Sequence, residues 1–144
     1  MSNLLAALGR GQLEKIDKFV RKRREIFNYY YESLSCFESL QFTSEHPMCK
    51  SNRWLTTFTI SRKISNISRD SLIKKLANEN IESRPVWKPM HLQPVFKGSK
   101  FISKGDTDVS KKVFDSGICL PSGSNLNKDD QSRVIDIIMS SLKY

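Results

Sequence analysis

The chain has 144 residues, of which 38% are hydrophobic and 27% are charged, with only 6 Gly and 5 Pro. This length accommodates one domain, and the composition excludes a disordered chain and predicts a buried core. There are 24 Lys and Arg against 15 Asp and Glu, so the net charge of +9 favours an anionic partner: a nucleotide, a nucleic acid or a membrane surface. The apolar run at 4–8 is too short for a signal peptide or a membrane span, so we expect no membrane association and a cytoplasmic location.

The first half of the chain predicts one long helix and one strand. Apolar residues recur at helical spacing over 3–34, with Lys and Arg between them, which is typical of an amphipathic helix. Gly9 and Gly11 lie inside this pattern and predict a bend or a close packing contact. Residues 35–51 are predicted to be irregular, whereas 53–60 are rich in aromatic and β-branched side chains and predict a strand.

The second half alternates helices and strands. Ser68 is a candidate N-cap, and Gly117 is predicted at the C′ position that ends a later helix. The predicted elements, in order, are a helix of about three turns that stops at 78–80, a short strand at 81–86, a loop at 87–105, a helix at 108–116, a short buried strand at 118–120, a turn at 121–127 and an amphipathic helix at 128–142. This order predicts an α/β (α+β) fold in which helices cover a small sheet.

The run of four cations from Arg21 to Arg24 is compatible with phosphate contacts to a nucleic acid. Neighbouring residues of a helix point about 100° apart, however, so four in a row form no single basic stripe. The wider helix also carries acidic side chains, such as Glu25 and Glu32. A solvent-facing helix surface is therefore favoured over a nucleic-acid contact.

The cysteines predict neither a disulfide framework nor a zinc site, because they lie far apart without a C-x-x-C pair. Cys36, His46 and Cys49 lack a fourth ligand at metal-binding spacing, and Cys119 is expected as a small buried apolar residue. The turn at 121–125 precedes a helix and has two interpretations. It forms a small anion site, or its neighbours at 124–127 cap the helix, which is the more frequent role.

The segment 84–94 concentrates side chains that bind ligands in a loop stiffened by prolines. Arg84 and Lys88 have the charge to hold phosphate or carboxylate groups, and Trp87 has a ring to stack. His91 and Gln93 have donors for hydroxyl groups. The alternative is a structural loop with Trp87 buried in the core, and composition alone leaves both interpretations open.

Three ordered motifs resemble one family. They are S-N-L-L-A-A-L-G-R-G-Q-L-E-K-I-D at 2–17, R-P-V-W-K-P-M-H-L-Q-P-V-F at 84–96 and C-L-P-S-G-S-N-L at 119–126, supported by N-R-W-L-T-T at 52–57. Together they resemble the C-terminal part of the DegT/StrS family of pyridoxal-phosphate-dependent nucleotide-sugar aminotransferases. The resemblance implies a fold-type-I aminotransferase, in which residues 1–34 form the helix that connects two domains and residues 35–144 form the small C-terminal α/β domain.

The resemblance also implies where the chemistry lies. In this family the lysine that forms the Schiff base, the aspartate that pairs with the pyridinium nitrogen and most of the phosphate cup belong to a large domain that would precede Met1. We therefore expect no catalytic, cofactor-binding or metal-binding residue in this chain. Pyridoxal 5′-phosphate is expected in the full-length enzyme only, and the chain alone is expected to be inactive.

The resemblance implies that this chain contains residues that bind the substrate. The loop of the family that matches 84–91 approaches the mouth of the active site, so Arg84, Trp87, Lys88 and His91 are the candidates for contacts to the nucleotide-sugar. Glutamate is the amino donor that the resemblance implies, and a homodimer is the expected assembly. Apolar residues near the N-terminus, Leu4, Leu5 and Leu8, are expected to form a patch through which the isolated chain associates with itself.

Two other classes of function stay open on the residues alone. One is a non-catalytic remnant or interaction domain that keeps the fold. The other is a basic nucleic-acid-binding domain, for which the net charge is the main support. We expect no nucleic acid as partner, and steeply salt-dependent binding to DNA or RNA would contradict this expectation.

Overall fold

The computed structural model of the chain describes residues 2–142. Within them lie five α-helices, α1 (Asn3–Leu13), α2 (Ile16–Leu34), α3 (Arg69–Asn78), α4 (Val109–Ser116) and α5 (Lys128–Leu142). The four strands are β1 (Leu40–Phe42), β2 (Thr56–Ile60), β3 (Arg84–Pro85) and β4 (Gly117–Leu120), and two short 3₁₀ helices span Met90–Leu92 and Pro94–Phe96. The predicted class, a small sheet covered by helices, is confirmed.

The four strands form one antiparallel sheet in the order β1-β2-β4-β3. Phe58 of β2 lies opposite Ile118 of β4, and both are buried. Residues opposite each other in a sheet share a face, and alternate residues along a strand point to opposite faces. Thr57, Cys119 and Arg84 are paired across β2, β4 and β3 and so share the other face.

The core lies between the first of these faces and helices α2, α3 and α5. Its buried side chains recur at helical spacing within each helix: Ile26, Tyr30 and Leu34 in α2, Leu72 and Leu76 in α3, Val134, Ile135 and Ile138 in α5. Gln131 of α5 is a buried polar residue, and its Nε2 donates to the Ile26 carbonyl at 2.7 Å, which satisfies the buried amide and ties α5 to α2. This three-helix layer leaves the opposite face of the sheet for a binding site.

The predicted first helix is in fact two helices. Gly9 and Gly11 both stay helical inside α1, so the prediction of a bend at the glycines is wrong; the break lies at Glu14 and Lys15. Lys15 adopts φ −109° and ψ 1°, which is not helical, and its N–H bonds to the Gln12 carbonyl in a tightened last turn. None of the residues of α1 is buried, whereas α2 buries a stripe against the sheet.

Three predicted boundaries are also corrected. Strand β1 lies in the segment predicted to be irregular, β2 begins at Thr56 rather than at residue 53, and β3 is two residues long. Arg53 has a φ of +49°, which interrupts an extended strand before Thr56. Asn80 has a φ of +58° in the turn that ends α3.

Gly117 is not the left-handed C′ residue that was predicted. It is extended, with φ −88° and ψ 139°, and it is the first residue of β4. A Cβ here would lie 2.5 Å from the Val113 carbonyl oxygen and 2.8 Å from Cγ2 of Val86. The glycine is therefore required by close packing between α4, β4 and the end of β3, and not by its backbone angles. The helix N-cap predicted at Ser68 is confirmed, since its side chain accepts from the Ser71 N–H.

None of the helices within residues 2–142 has the length and apolar character needed to cross a lipid bilayer.

Candidate functional site

A cleft of about 670 Å³ opens on the sheet face away from the three-helix layer. Its walls come from the end of β4, from β3 and the residues around it, and from the segment before β2; the lining includes Trp54, Arg84, Trp87, Lys88, Cys119 and Ser122. Cys119 is buried in the wall, as predicted, and burial raises the pKa of its thiol. The thiol is therefore held in its neutral form, as a small apolar group.

Two tryptophans stand stacked at the rim of this cleft. The Trp54 and Trp87 rings lie 5.7 Å apart at 28°, and the side chains are 58% and 65% exposed. The alternative that Trp87 is buried in the core is therefore wrong. An exposed pair of this kind offers flat apolar surface to a ring of a ligand, since aromatic faces favour stacking. This tryptophan pair provides most of the aromatic surface at the rim. Trp54 was not among the predicted site residues.

The two predicted cations differ in their surroundings. Arg84 is exposed, and its Nε donates to Glu82 Oε1 at 2.7 Å while its terminal nitrogen bonds the same carboxylate. Exposed pairs of this kind contribute little energy, so an incoming anion can exchange for Glu82 at low cost. Lys88 is exposed at the rim and has no ion pair within residues 2–142. Both cations are available to phosphate groups.

His91 is placed differently from the other three predicted residues. Its Nε2 lies 2.6 Å from Asp108 Oδ2, and its ring stacks on Phe101 with centroids 3.8 Å apart. Asp108 caps α4, and its pKa is lowered by the Lys111 N–H, by the Ser110 hydroxyl and by His91. This contact ties the loop that carries Trp87 and Lys88 to the start of α4. One face and one nitrogen of His91 are thus already used within the chain.

A second charged cluster holds the segment that carries Trp54. Glu45 accepts from both terminal nitrogens of Arg24 at 3.0 and 3.1 Å and from Arg53 at 3.4 Å, and the Ser51 N–H bonds it as well. The Arg24 hydrogen bonds, followed by that of Ser51, lower the pKa of Glu45 to about 2. The same pair raises the pKa of Arg24. Both groups therefore remain charged over the physiological pH range.

The predicted solvent-facing role of the cations at 21–24 holds only in part. Arg24 binds Glu45, and Arg23 donates to the Trp54 carbonyl at 2.6 Å, so two of the four cations hold the 43–55 segment against α2. The remaining cations, Arg21 and Lys22, lie on the exposed and half-buried surface of α2. Intramolecular contacts thus reduce the basic surface that a nucleic acid would need.

The turn after β4 supplies structural contacts. Asn127 Oδ1 accepts from the Asp130 N–H at 2.7 Å and caps α5, which confirms the capping interpretation for this residue. The buried Ser122 hydroxyl accepts from the Thr56 N–H at 2.8 Å and donates to the Leu120 carbonyl at 2.9 Å. Tyr30 donates to the Pro121 carbonyl at 3.1 Å. The turn is therefore fixed to β2 and α2 by these bonds.

Residues 1–139 match the sequence profile of the DegT/DnrJ/EryC1/StrS aminotransferase family. The chain belongs to this family. EpsN of Bacillus subtilis (strain 168), provisionally described as a pyridoxal phosphate-dependent aminotransferase, is 45% identical over 140 residues, which cover 96% of this chain and 35% of EpsN. GDP-perosamine synthase of Vibrio cholerae is 31% identical over 138 residues, which cover 96% of this chain and 36% of that protein. The chain thus spans about one third of the length of these relatives and corresponds to their C-terminal part.

Solved structures show the same fold. DesV of S. venezuelae superposes with a TM-score of 0.84 at 22% identity, over 96% of this chain and 36% of DesV. The aminotransferase PseC of Helicobacter pylori, involved in the biosynthesis of pseudoaminic acid, superposes with a TM-score of 0.78 at 19% identity, over 95% of this chain and 36% of PseC. The resemblance stated from the three motifs is confirmed, and so is the fold that it implied.

The cleft does not by itself fit the family's cofactor, pyridoxal phosphate. Lys88 is the one lysine of its lining and Glu82 is the one carboxylate, and both are exposed, so neither is enclosed in a way that would hold a bound cofactor. The cofactor needs a lysine for covalent attachment and an acidic partner for its ring nitrogen. Among residues 2–142 no group of three or more His, Cys, Asp and Glu side chains is arranged to hold a metal ion. The cleft offers instead aromatic rings and cations, which are the groups that bind an anionic ligand with a ring.

Three of the four predicted residues lie at this cleft, and sequence reasoning missed one residue of its lining and one residue beside it. Arg84, Trp87 and Lys88 line the cleft, whereas His91 lies outside its lining and contacts Asp108. Trp54 was missed as the partner of Trp87, and Glu45 was missed as the acceptor for Arg24 and Arg53. The available signal was the N-R-W run at 52–54, which places a large aromatic side chain directly after two polar residues.

Proposed function

We propose that this chain is the C-terminal, substrate-side part of an aminotransferase that transfers an amino group to a nucleotide-linked keto sugar, for surface polysaccharide or glycan biosynthesis. The observation that carries the proposal is the exposed Trp54–Trp87 stack with Arg84 and Lys88 at one cleft, in a chain of this family. The names of relatives support the substrate class: GDP-perosamine synthase, and a Bacillus subtilis spore coat polysaccharide biosynthesis protein, SpsC, at 24% identity.

The proposed roles follow from the chemistry of each side chain. Trp87 stacks on a ring of the nucleotide-sugar, and Arg84 and Lys88 neutralise its diphosphate. His91 contacts the sugar through Nδ1, because Nε2 is held by Asp108. Each of these is a substrate contact, and none of them moves a proton in the reaction.

The cofactor belongs to the rest of the enzyme in this proposal. Pyridoxal 5′-phosphate, when bound, supplies the electron sink that amino transfer requires. The groups that hold it lie outside this chain, so the chain alone is inactive and glutamate serves as amino donor only in the full-length enzyme. In the same proposal, residues 1–34, which include α1 and α2, connect the two domains, and residues 35–144 form the small domain. A cytoplasmic location is part of the same proposal, since the named relatives are biosynthetic enzymes.

We further propose that α1 mediates self-association. Leu4, Leu5 and Leu8 are all exposed, and α1 buries none of its residues against the body of the chain. A second copy of the chain is the proposed occupant of this apolar face, as in a homodimer. Sedimentation of the isolated chain and of a Leu5→Gln, Leu8→Gln variant tests this: the wild type sediments as an oligomer and the variant as a monomer. A monomeric wild type contradicts it.

The function itself is tested in a hybrid enzyme, in which this chain replaces the matching segment of EpsN. Stacking of a base on an aromatic ring contributes about 1–3 kcal/mol. Trp87→Ala should therefore lower kcat/KM for the nucleotide-sugar by roughly 5- to 150-fold, with the cofactor absorbance unchanged. Lys88→Ala should raise KM, while Lys97→Ala, an exposed lysine outside the cleft, serves as the matched control. Loss of the cofactor in the Trp87 variant would refute its substrate role.

A further inference from the structure

The charged cluster of Glu45, Arg24, Arg53 and Ser51, called the Glu45 cluster, has no role in the proposed substrate contacts. It lies between α2 and the loop that leads to β2, beside the cleft. Glu45 is its single carboxylate and receives hydrogen bonds from both arginines and from the Ser51 backbone. Arg24 also donates to the Ser51 carbonyl. One acidic side chain therefore fastens both ends of the 45–53 loop to the helix.

The Glu45 cluster includes Arg53, the residue that directly precedes Trp54. Arg53 has a left-handed φ of +49°, a conformation that needs support in a residue with a Cβ. That support comes from Glu45, from the Thr43 carbonyl at 2.9 Å and from the Phe27 ring, whose centroid lies 3.7 Å from the guanidinium carbon. The backbone before Trp54 is thus fixed by the Arg53 side chain.

The backbone of Trp54 itself is fixed by a second bond to α2. Arg23 donates to the Trp54 carbonyl at 2.6 Å, and the Trp54 N–H donates to Asn52 Oδ1 at 3.0 Å. The indole, in contrast, is more than half exposed, and its stacking partner is Trp87. Its position therefore depends on the backbone that carries it rather than on packing into the core.

We propose that Glu45 is a positioning residue, which holds Trp54 against Trp87 and so sets the geometry of the aromatic pair at the rim of the cleft. Without the carboxylate, the two arginines repel each other, Arg53 loses its support, and the loop no longer holds the indole in register with its partner. Only the effect on substrate rests on the proposed function; the effect on the pair does not.

The competing explanation is that the Glu45 cluster stabilises the fold and nothing more. The two explanations differ in an optical signal. The chain contains only two tryptophans, and stacked indoles couple their electronic transitions and give a paired positive and negative band in circular dichroism. A general loss of stability shifts the unfolding transition but leaves this band intact in the folded chain. A loss of positioning removes the band from a chain that is still folded.

The experiment compares Glu45→Gln, which keeps the shape and removes the charge, with Glu25→Gln as matched control. Glu25 lies on α2, where its exposed carboxylate pairs with Lys22 at 3.6 Å. Trp54→Phe defines the spectrum without coupling. E45Q should keep the helical signal of the wild type but lose the paired band, so that its spectrum approaches that of W54F. E25Q should keep the paired band. A folded E45Q chain with the full band overturns the proposal.

Arg53→Lys is the second variant if E45Q does not fold, because lysine keeps the charge but loses the two-nitrogen guanidinium that bonds Thr43 and Glu45 and lies over the Phe27 ring. A full band in folded R53K overturns the proposal, and a reduced band supports it. In the hybrid enzyme, E45Q should raise KM for the nucleotide-sugar with the cofactor absorbance unchanged. If the band is lost while KM stays constant, the positioning of Trp54 stands and the proposed substrate role of the pair fails.

Discussion

Replacing Gly117 by alanine tests the close packing that builds one wall of the cleft. A Cβ at this position would lie 2.5 Å from the Val113 carbonyl oxygen and 2.8 and 2.9 Å from the two methyl groups of Val86. The carbonyl belongs to the helical backbone of α4 and cannot move without shifting the helix. Overpacking of this kind costs about 1–3 kcal/mol. For a domain of this size, that corresponds to a decrease in melting temperature of roughly 3–10 °C.

The assay is thermal and urea unfolding followed by circular dichroism, with Gly9→Ala as matched control. A Cβ on Gly9 would have no neighbouring atom within 4 Å, and Gly9 lies in α1, where no residue is buried. Alanine there should raise the helical signal without lowering the midpoint, since alanine favours a helix by about 1 kcal/mol over glycine. Adding Val86→Ala to Gly117→Ala should recover part of the lost stability, because it removes the two valine methyl groups that the new Cβ would meet. A Gly117→Ala chain as stable as the wild type refutes the packing argument.

Three other outcomes depend on single side chains. The pKa of Glu45 is about 2 in the folded chain and 4.5 ordinarily, so its stabilising contribution is complete above pH 4.5 and is lost as the pH falls towards 2. The stability difference between wild type and Glu45→Gln in urea titrations should therefore be constant above that window and shrink within it; a difference independent of pH contradicts the ion pairs. Asn127→Ala should destabilise the chain by about 0.5–2 kcal/mol through loss of the α5 cap, with Asn127→Ser, which keeps a capping oxygen and adds no charge beside Asp130, closer to wild type in the same assay. Ile138→Ala, at a fully buried core position, should cost about 2–5 kcal/mol, and a smaller loss would show that the core collapses around the cavity.

Local patterns were sufficient to predict the elements whose faces are buried by the chain itself. Helices α3 and α5 show apolar residues at helical spacing and carry caps at Ser68 and Asn127, and β4 is a short apolar run, so these were correctly predicted. The predicted long first helix was wrong in one respect, because its apolar spacing continues across Glu14 and Lys15 although the helix is interrupted there. Nothing in the side-chain pattern marks that break.

Strand β1 was missed and strand β3 was predicted too long, because both depend on partners distant in sequence. Strand β1 has three residues and is defined by its pairing with β2, and β3 has two residues that are defined by their pairing with β4. The site residues also differed in whether they depend on partners distant in sequence. Arg84, Trp87 and Lys88 were visible as a cluster along the chain, whereas Trp54 joins Trp87 only through the folding of the sheet. His91 was expected at the substrate, and only the structure shows that Asp108 already holds one of its nitrogens.

The central claim is that this chain completes an aminotransferase and has no activity alone. The most direct measurement is amino transfer to uridine-, thymidine- and guanosine-diphosphate-linked keto sugars, with glutamate and pyridoxal phosphate, by the isolated chain and by the hybrid with the preceding part of EpsN. We predict no turnover by the isolated chain and turnover of one nucleotide class by the hybrid. Turnover by the isolated chain, or a folded hybrid that binds the cofactor and aminates none of these sugars, would contradict the claim.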